Sequence, residues 1–174
     1  IKEEILEAML PYFKMYGNPS SQYDISYKLR NDINNIRGII CDYIGAKSEE
    51  EIIFTHGGSE GNNLILKGIN KNIITSSIEH SSILNTCNFI NKFYNKNIEY
   101  VSVNNKGIIS LNELQNKITN DNLVSIQYAN NEIGTIQPIE DIIKITHNKN
   151  SLFHTDATQS FSTIKNNVQK ENID

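Results

Sequence analysis

Four short clusters in this chain hold residue types that could do chemistry together. They are Thr55-His56-Gly57-Gly58-Ser59-Glu60, Ser76-Ser77-Ile78-Glu79-His80, Asn130-Asn131-Glu132-Ile133-Gly134 and Asp156-Ala157-Thr158-Gln159. In the first, Gly57 and Gly58 would let the backbone approach a ligand closely. A helix starting there would aim free N–H groups and its positive dipole end at the same point, and Ser59 adds a hydroxyl. That combination suits a phosphate. A tight turn with Ser59 as an ordinary helix N-cap would use the same residues. The run matches neither G-x-G-x-x-G nor G-x-x-x-x-G-K-[ST], which argues against a dinucleotide or Walker-type site.

His80 falls at the start of a predicted helix, where it could stack on a flat aromatic group or relay protons. A surface histidine in a first helical turn would need neither role. Asp156 follows the apolar pair Leu152-Phe153 at a predicted strand end. A carboxylate there could hold a protonated ring nitrogen and make a pyridine ring a stronger electron sink. It could equally cap the next turn. Gln159, three residues on, could bond a ring hydroxyl, and Asn131 could reach the same substituent. The plain alternatives are an exposed Gln and a loop Asn that tolerates left-handed backbone.

The remaining candidates read as structural. His56, His147 and His154 receive no ligand role. No clustered Cys/His spacing supports a metal site, and His154 and Asp156 are expected to point away from each other. Cys41 and Cys87 lie in helical patterns and read as buried small apolar residues. Two cysteines in 174 residues are no disulfide framework, so a reducing compartment is the default and a cytoplasmic location is expected. A net charge of -4 offers nothing basic to attract nucleic acid. No apolar run approaches the ~20 residues that cross a bilayer. The Asn-Asn pairs, Asn62-Asn63 among them, read as compositional bias. Both ends look cut: Ile1 is no initiator Met, and Glu171–Asp174 makes no clear stop.

The elements that must position these clusters follow from hydrophobic spacing. Residues 3–15 read as a helix with Pro11 as a kink, and Gly17–Ser21 as a turn. Ile25, Leu29, Ile33, Ile36 and Ile40 predict a helix from about Tyr23 to Gly45. Strands are then predicted at 51–55, 72–75, 99–103, 123–128 and 151–155. Helices are predicted through Leu64–Leu66 and over 80–94, 111–119 and 139–147. That alternation argues for βαβ units and a mainly parallel sheet. Each polar cluster follows a strand, and open α/β sheets bind ligands at that edge.

Taken together, the clusters resemble the class V, fold-type I enzymes that use pyridoxal 5'-phosphate (PLP), specifically the NifS/IscS cysteine desulfurases. The resemblance rests on Gly17-Asn18-Pro19-Ser20-Ser21, Ile53–Leu64, Glu79-His80, Asn130–Pro138 and His154–Ser160, in family order and spacing. It implies an α/β fold: a PLP-transferase-like large domain, truncated, with a mainly parallel sheet and flanking helices. Residues 1–16 would be a helix on the small-domain side and 17–174 a partial large domain. Gly58 and Ser59 would hold the cofactor phosphate. His80 would stack on the ring and assist proton transfer. Asn131 and Gln159 would contact the ring hydroxyl, and Asp156 would pair with the ring nitrogen. The implied reaction takes sulfur from L-cysteine, giving L-alanine and an enzyme persulfide for sulfur-acceptor or scaffold proteins, in a homodimer. The family's Schiff-base lysine is expected beyond Asp174, in a Ser-x-His-Lys segment, and its persulfide-forming cysteine further on. The chain alone is therefore expected to be inactive. A selenocysteine lyase, an aminotransferase-like relative and a non-catalytic paralogue are the alternatives. Ser59 stands where the family often has Thr, and Gly61-Asn62 replaces a small-residue/acidic pair.

Overall fold

In the computed structural model, which describes residues 1–174, a four-stranded sheet is built from short runs rich in apolar residues. The strands are β1 (Asn72–Ser76), β2 (Ile98–Val101), β3 (Asn122–Ser125) and β4 (Leu152–His154). All three pairings are parallel, in the order β2-β1-β3-β4. Ile73 lies opposite both Ile98 and Leu123, and Val124 opposite Phe153. Parallel strands need crossovers, and three helices supply them: α4 (Ser81–Tyr94), α5 (Leu111–Lys117) and α6 (Ile139–His147). Helix α3 (Gly58–Gly68) precedes β1.

Alternation along the strands divides the core between two faces. Ile73 and Leu123 join Leu66, Ile83, Cys87 and Ile90 from α3 and α4. Their neighbours Ile74 and Val124 join Leu114, Ile142 and Phe153 with α5 and α6. Covered on both faces, β3 is buried at every position. The chain order puts β2 on one side of β1 and β3 on the other. The strand order therefore reverses between β1 and β3, and the loops after those strands flank a crevice at the carboxyl edge.

The chain divides into two compact units, Ile1–Ile52 and Ile53–Asp174, and the sheet belongs to the second. The first unit holds α1 (Glu3–Met9), a 3-10 turn at Leu10–Lys14 and the long α2 (Asp24–Ile44). Gly45 ends α2 at φ 67°, a left-handed position suited to glycine. Arg30 ties α2 to the turn cluster by donating to the carbonyls of Pro19 (2.8 Å) and Ser21 (2.7 Å). A short α7 (Val168–Glu171) lies near the chain end. No helix is long and apolar enough to cross a membrane.

Two predicted elements change. The strand expected at 51–55 does not form; a 3-10 turn occupies Glu49–Glu51, and the sheet does not include 51–55. The β-branched residues there favour extended backbone, and Ile52 adopts it, but a strand also needs a ladder and propensity cannot provide one. The helix expected over 3–15 stops at Met9. Pro11 lacks an N–H and opens the tighter turn instead.

Candidate active site

The segment after β1 is fastened by a buried acid. Glu79, 5 % exposed, accepts from the Ser76 hydroxyl at 2.5 Å and from the Gln127 N–H with both oxygens, at 3.1 and 3.0 Å. This ties the loop after β1 to the end of β3. Burial pushes the Glu79 carboxyl up to about 7, against the pull of those hydrogen bonds. The next residue, His80, is the N-cap of α4: its Nδ1 accepts from the Ser82 N–H at 3.2 Å and lies 2.8 Å from the Ser82 hydroxyl.

Asp156 is set by continuation of the β4 path. Beyond the last paired residue, Tyr128 N–H still donates to the Asp156 carbonyl at 3.0 Å. The carboxylate, half-buried, receives the Asn62 amide on Oδ2 at 2.8 Å and the Thr158 N–H on Oδ1 at 3.0 Å. Burial pushes its pKa up. The bonds from Thr158 and Asn62, with His154 nearby, outweigh that and leave it below the ordinary Asp value. His154 and Asp156 do not point apart as expected: two residues along an extended path share one face, and the Asp156 charge pulls the His154 pKa up against its burial. His154 lies 2.9 Å from the Ser125 hydroxyl, and desolvation pushes its pKa down to about 4, so its ring is neutral at pH 7.

The third element is the start of α3. Gly57 caps it at φ 155° and ψ 175°, a conformation that only glycine adopts readily. Gly58 and Ser59 follow in the first turn, where backbone N–H groups have no partner within the helix. A Cβ on Gly58 would stand 2.9 Å from the Thr158 hydroxyl, so glycine leaves space between α3 and the loop after β4.

One cavity of about 150 Å³ is lined by all six residues singled out above: Gly58, Ser59, His80, Asn131, Asp156 and Gln159. Asn131 and Gln159 are exposed at its rim. The loop bearing Asn131 is shaped by its neighbour Asn130. That side chain accepts from Glu132 N–H at 2.8 Å and donates to the Ile78 carbonyl at 3.1 Å. A second cavity of about 340 Å³ adjoins it, sharing His80, Gln127 and Asn131.

Five further lining residues were given no site role by the sequence: Asn62, Ser82, Gln127, Ala129 and Thr158. Asn62, read as compositional bias and as half of the Gly61-Asn62 departure from the family pattern, is 5 % exposed and bonded to Asp156. A usable signal existed: positions 58, 62 and 66 follow one helical stripe, and Leu66 is fully buried. The cysteines lie as expected in buried positions, and burial pushes the Cys87 thiol up to about 12, which keeps it protonated and unreactive.

Comparison with known proteins places this geometry in context. The family described as aminotransferase class-V matches residues 1–174. The cysteine desulfurase IscS of Methanosarcina thermophila is 44% identical over 182 residues, covering 100% of this chain and 45% of that protein. The cysteine desulfurase IscS of Rickettsia prowazekii is 42% identical over 183 residues, covering 100% of this chain and 44% of the relative. Among solved structures, SspA in complex with cysteine superposes with a TM-score of 0.94 at 38% identity, covering 100% of this chain and 52% of that one. A NifS-like protein from Rickettsia africae gives 0.89 at 35% identity, covering 100% and 49%. The chain spans about half the length of the curated relatives it matches.

Proposed function

The chain belongs to the class V aminotransferase family, and from that premise we propose that it is part of a PLP-dependent cysteine desulfurase. The protein carrying it would take sulfur from L-cysteine, release L-alanine and hold the sulfur as a persulfide for delivery to acceptor or scaffold proteins. The observation that carries the reading is the single cavity lined by Gly58, Ser59, His80, Asn131, Asp156 and Gln159. We also propose a homodimer in the cytoplasm, with residues 1–16 on the small-domain side and 17–174 in the large domain.

The residues suit the cofactor. Asp156 is held ionised by two N–H donors, as needed to accept a hydrogen bond from a protonated ring nitrogen. The start of α3 offers backbone donors and the Ser59 hydroxyl to a phosphate, and Gly58 leaves room for it. When bound, PLP supplies an electron sink for negative charge developing at the substrate Cα. Asp156 would keep the proton on the ring nitrogen. Gly58 and Ser59 would anchor the phosphate and thereby orient the ring. Asn131 and Gln159 would bond the ring hydroxyl, and His80 would cover one ring face and move a proton. Neither cysteine of this chain takes the sulfur, because both are buried and Cys87 is held as a thiol.

The test is direct. The full-length protein is expected to bind PLP with a visible absorption band and to convert L-cysteine to L-alanine with sulfide release in the presence of a reductant. A full-length protein that neither takes up PLP nor releases alanine would refute the assignment.

A further inference from the structure

Asn62 is the buried centre of a chain of hydrogen bonds that crosses the cavity wall. Its Nδ2 lies 2.8 Å from Asp156 Oδ2 and 3.0 Å from Ser82 Oγ. Ser82 Oγ in turn lies 2.8 Å from His80 Nδ1, to which the Ser82 backbone N–H also donates at 3.2 Å. Three elements are joined in this way: α3 through Asn62, the start of α4 through Ser82 and His80, and the loop after β4 through Asp156.

Counting donors gives the chain a direction. An ionised carboxylate only accepts, so the group of Asn62 facing Asp156 is the amide nitrogen and not its oxygen. An amide nitrogen has two hydrogens. One goes to Asp156 and the other to Ser82 Oγ. The serine oxygen, already accepting, is free to donate its own hydrogen onward. Nδ1 of His80 accepts a backbone N–H, so in the neutral ring it carries no hydrogen and receives the hydroxyl as well. The ring hydrogen therefore sits on Nε2.

We infer that Asn62 and Ser82 are positioning residues, which tie the Asp156 carboxylate to the His80 ring and hold that ring as the Nε2–H tautomer. In this state His80 is a hydrogen donor at Nε2. A proton that it passes toward the cavity leaves from that atom, and Nδ1 is reserved for Ser82. The catalytic meaning rests on the PLP reading above; the hydrogen-bond geometry does not.

The experiment separates the two. Long-range proton–nitrogen correlation on isotope-labelled histidine reports which ring nitrogen of His80 carries hydrogen. It is recorded on the full-length protein, with and without PLP, well above the ordinary histidine pKa. Wild type is expected to show hydrogen on Nε2 and a bare Nδ1 in both forms. Ser82→Ala keeps the backbone N–H to Nδ1 but loses the shorter hydroxyl bond, so Nε2–H should remain the main form with a minor Nδ1–H population appearing, and Ser82→Thr should suppress that population again. Asn62→Ala should loosen Asp156 as well, with PLP bound about tenfold more weakly, the scale of one lost hydrogen bond. Should Asn62→Ala fail to fold, Ser82→Ala in the first turn of α4 decides alone. Hydrogen on Nδ1 in wild type, or a Ser82→Ala spectrum identical to wild type, overturns the inference. If wild type binds no PLP, the cofactor reading fails while the cofactor-free spectrum still decides the tautomer.

Discussion

The cavity has two walls made in different ways. The Asp156 wall is built mainly of side chains: a carboxylate held by the Asn62 amide and the Thr158 N–H, with Ser82 joined to it through Asn62 and with Glu79 and His154 behind. The Gly58–Ser59 wall is built of backbone at the start of α3, and its only functional side-chain atom is one exposed hydroxyl. A wall of interlocked side chains fails when one member is removed, because its partners stay buried and unsatisfied. A wall of backbone N–H groups survives most substitutions, because every residue except proline carries the donor.

Four predictions press on that difference, starting with the largest effect. Asp156→Ala in the full-length enzyme is expected to lower kcat on the order of 10²-fold or more, the scale of losing one preorganised electrostatic partner. It should also shift the absorption of bound PLP. Steady-state kinetics and a visible spectrum check this, and wild-type values for both would remove Asp156 from the site.

The second concerns the buried groups behind that wall. Glu79, raised to about 7 from 4.5, binds more protons folded than unfolded, so it should erode stability as pH rises from about 4.5 to 7. His154, lowered to about 4 from 6.5, does the opposite: its contribution is lost as pH falls from about 6.5 to 4. Each shift is worth on the order of 3 kcal/mol, and the slopes oppose each other over the shared window. Wild-type stability should therefore be nearly flat between about pH 4.5 and 6.5. Glu79→Gln should unmask the histidine slope and His154→Asn the glutamate slope. Urea unfolding across pH measures both, and parallel curves for all three proteins would contradict the opposed pair.

On the backbone wall the effects are expected to shrink. Ser59→Ala should weaken PLP binding about tenfold, the loss of one hydrogen bond to a charged group, and Ser59→Thr should restore it. Equilibrium titration of the cofactor-free enzyme reads this directly. Gly58→Ala is the mildest change. The new Cβ would meet the Thr158 hydroxyl at 2.9 Å, but that side chain is exposed and can turn away. Stability should stay within about 1 kcal/mol, with helix propensity offsetting the contact. A Gly58→Ala loss as large as that of Asp156→Ala would erase the distinction between the walls.

Much of this molecule was legible in local sequence. The spacing of Ile25, Leu29, Ile33, Ile36 and Ile40 specified α2, and Gly45 its end. The alternation of strand and helix signals after Asn72 specified four parallel strands and their crossovers. Glycine, hydroxyl, imidazole and carboxyl types marked the loops that line the cavity, because their chemistry is written in single residues. Tertiary structure decided the rest. Residues 51–55 have strand-like composition yet form no strand, since a ladder requires a neighbour and only three dimensions supply one. Asn62 has the composition of a solvated helix, and burial of its stripe against Asp156, 94 positions away, turned it into part of the site. Long-range hydrogen bonds of that kind leave no periodic trace, because their cost and gain arise only when the fold removes water from both ends.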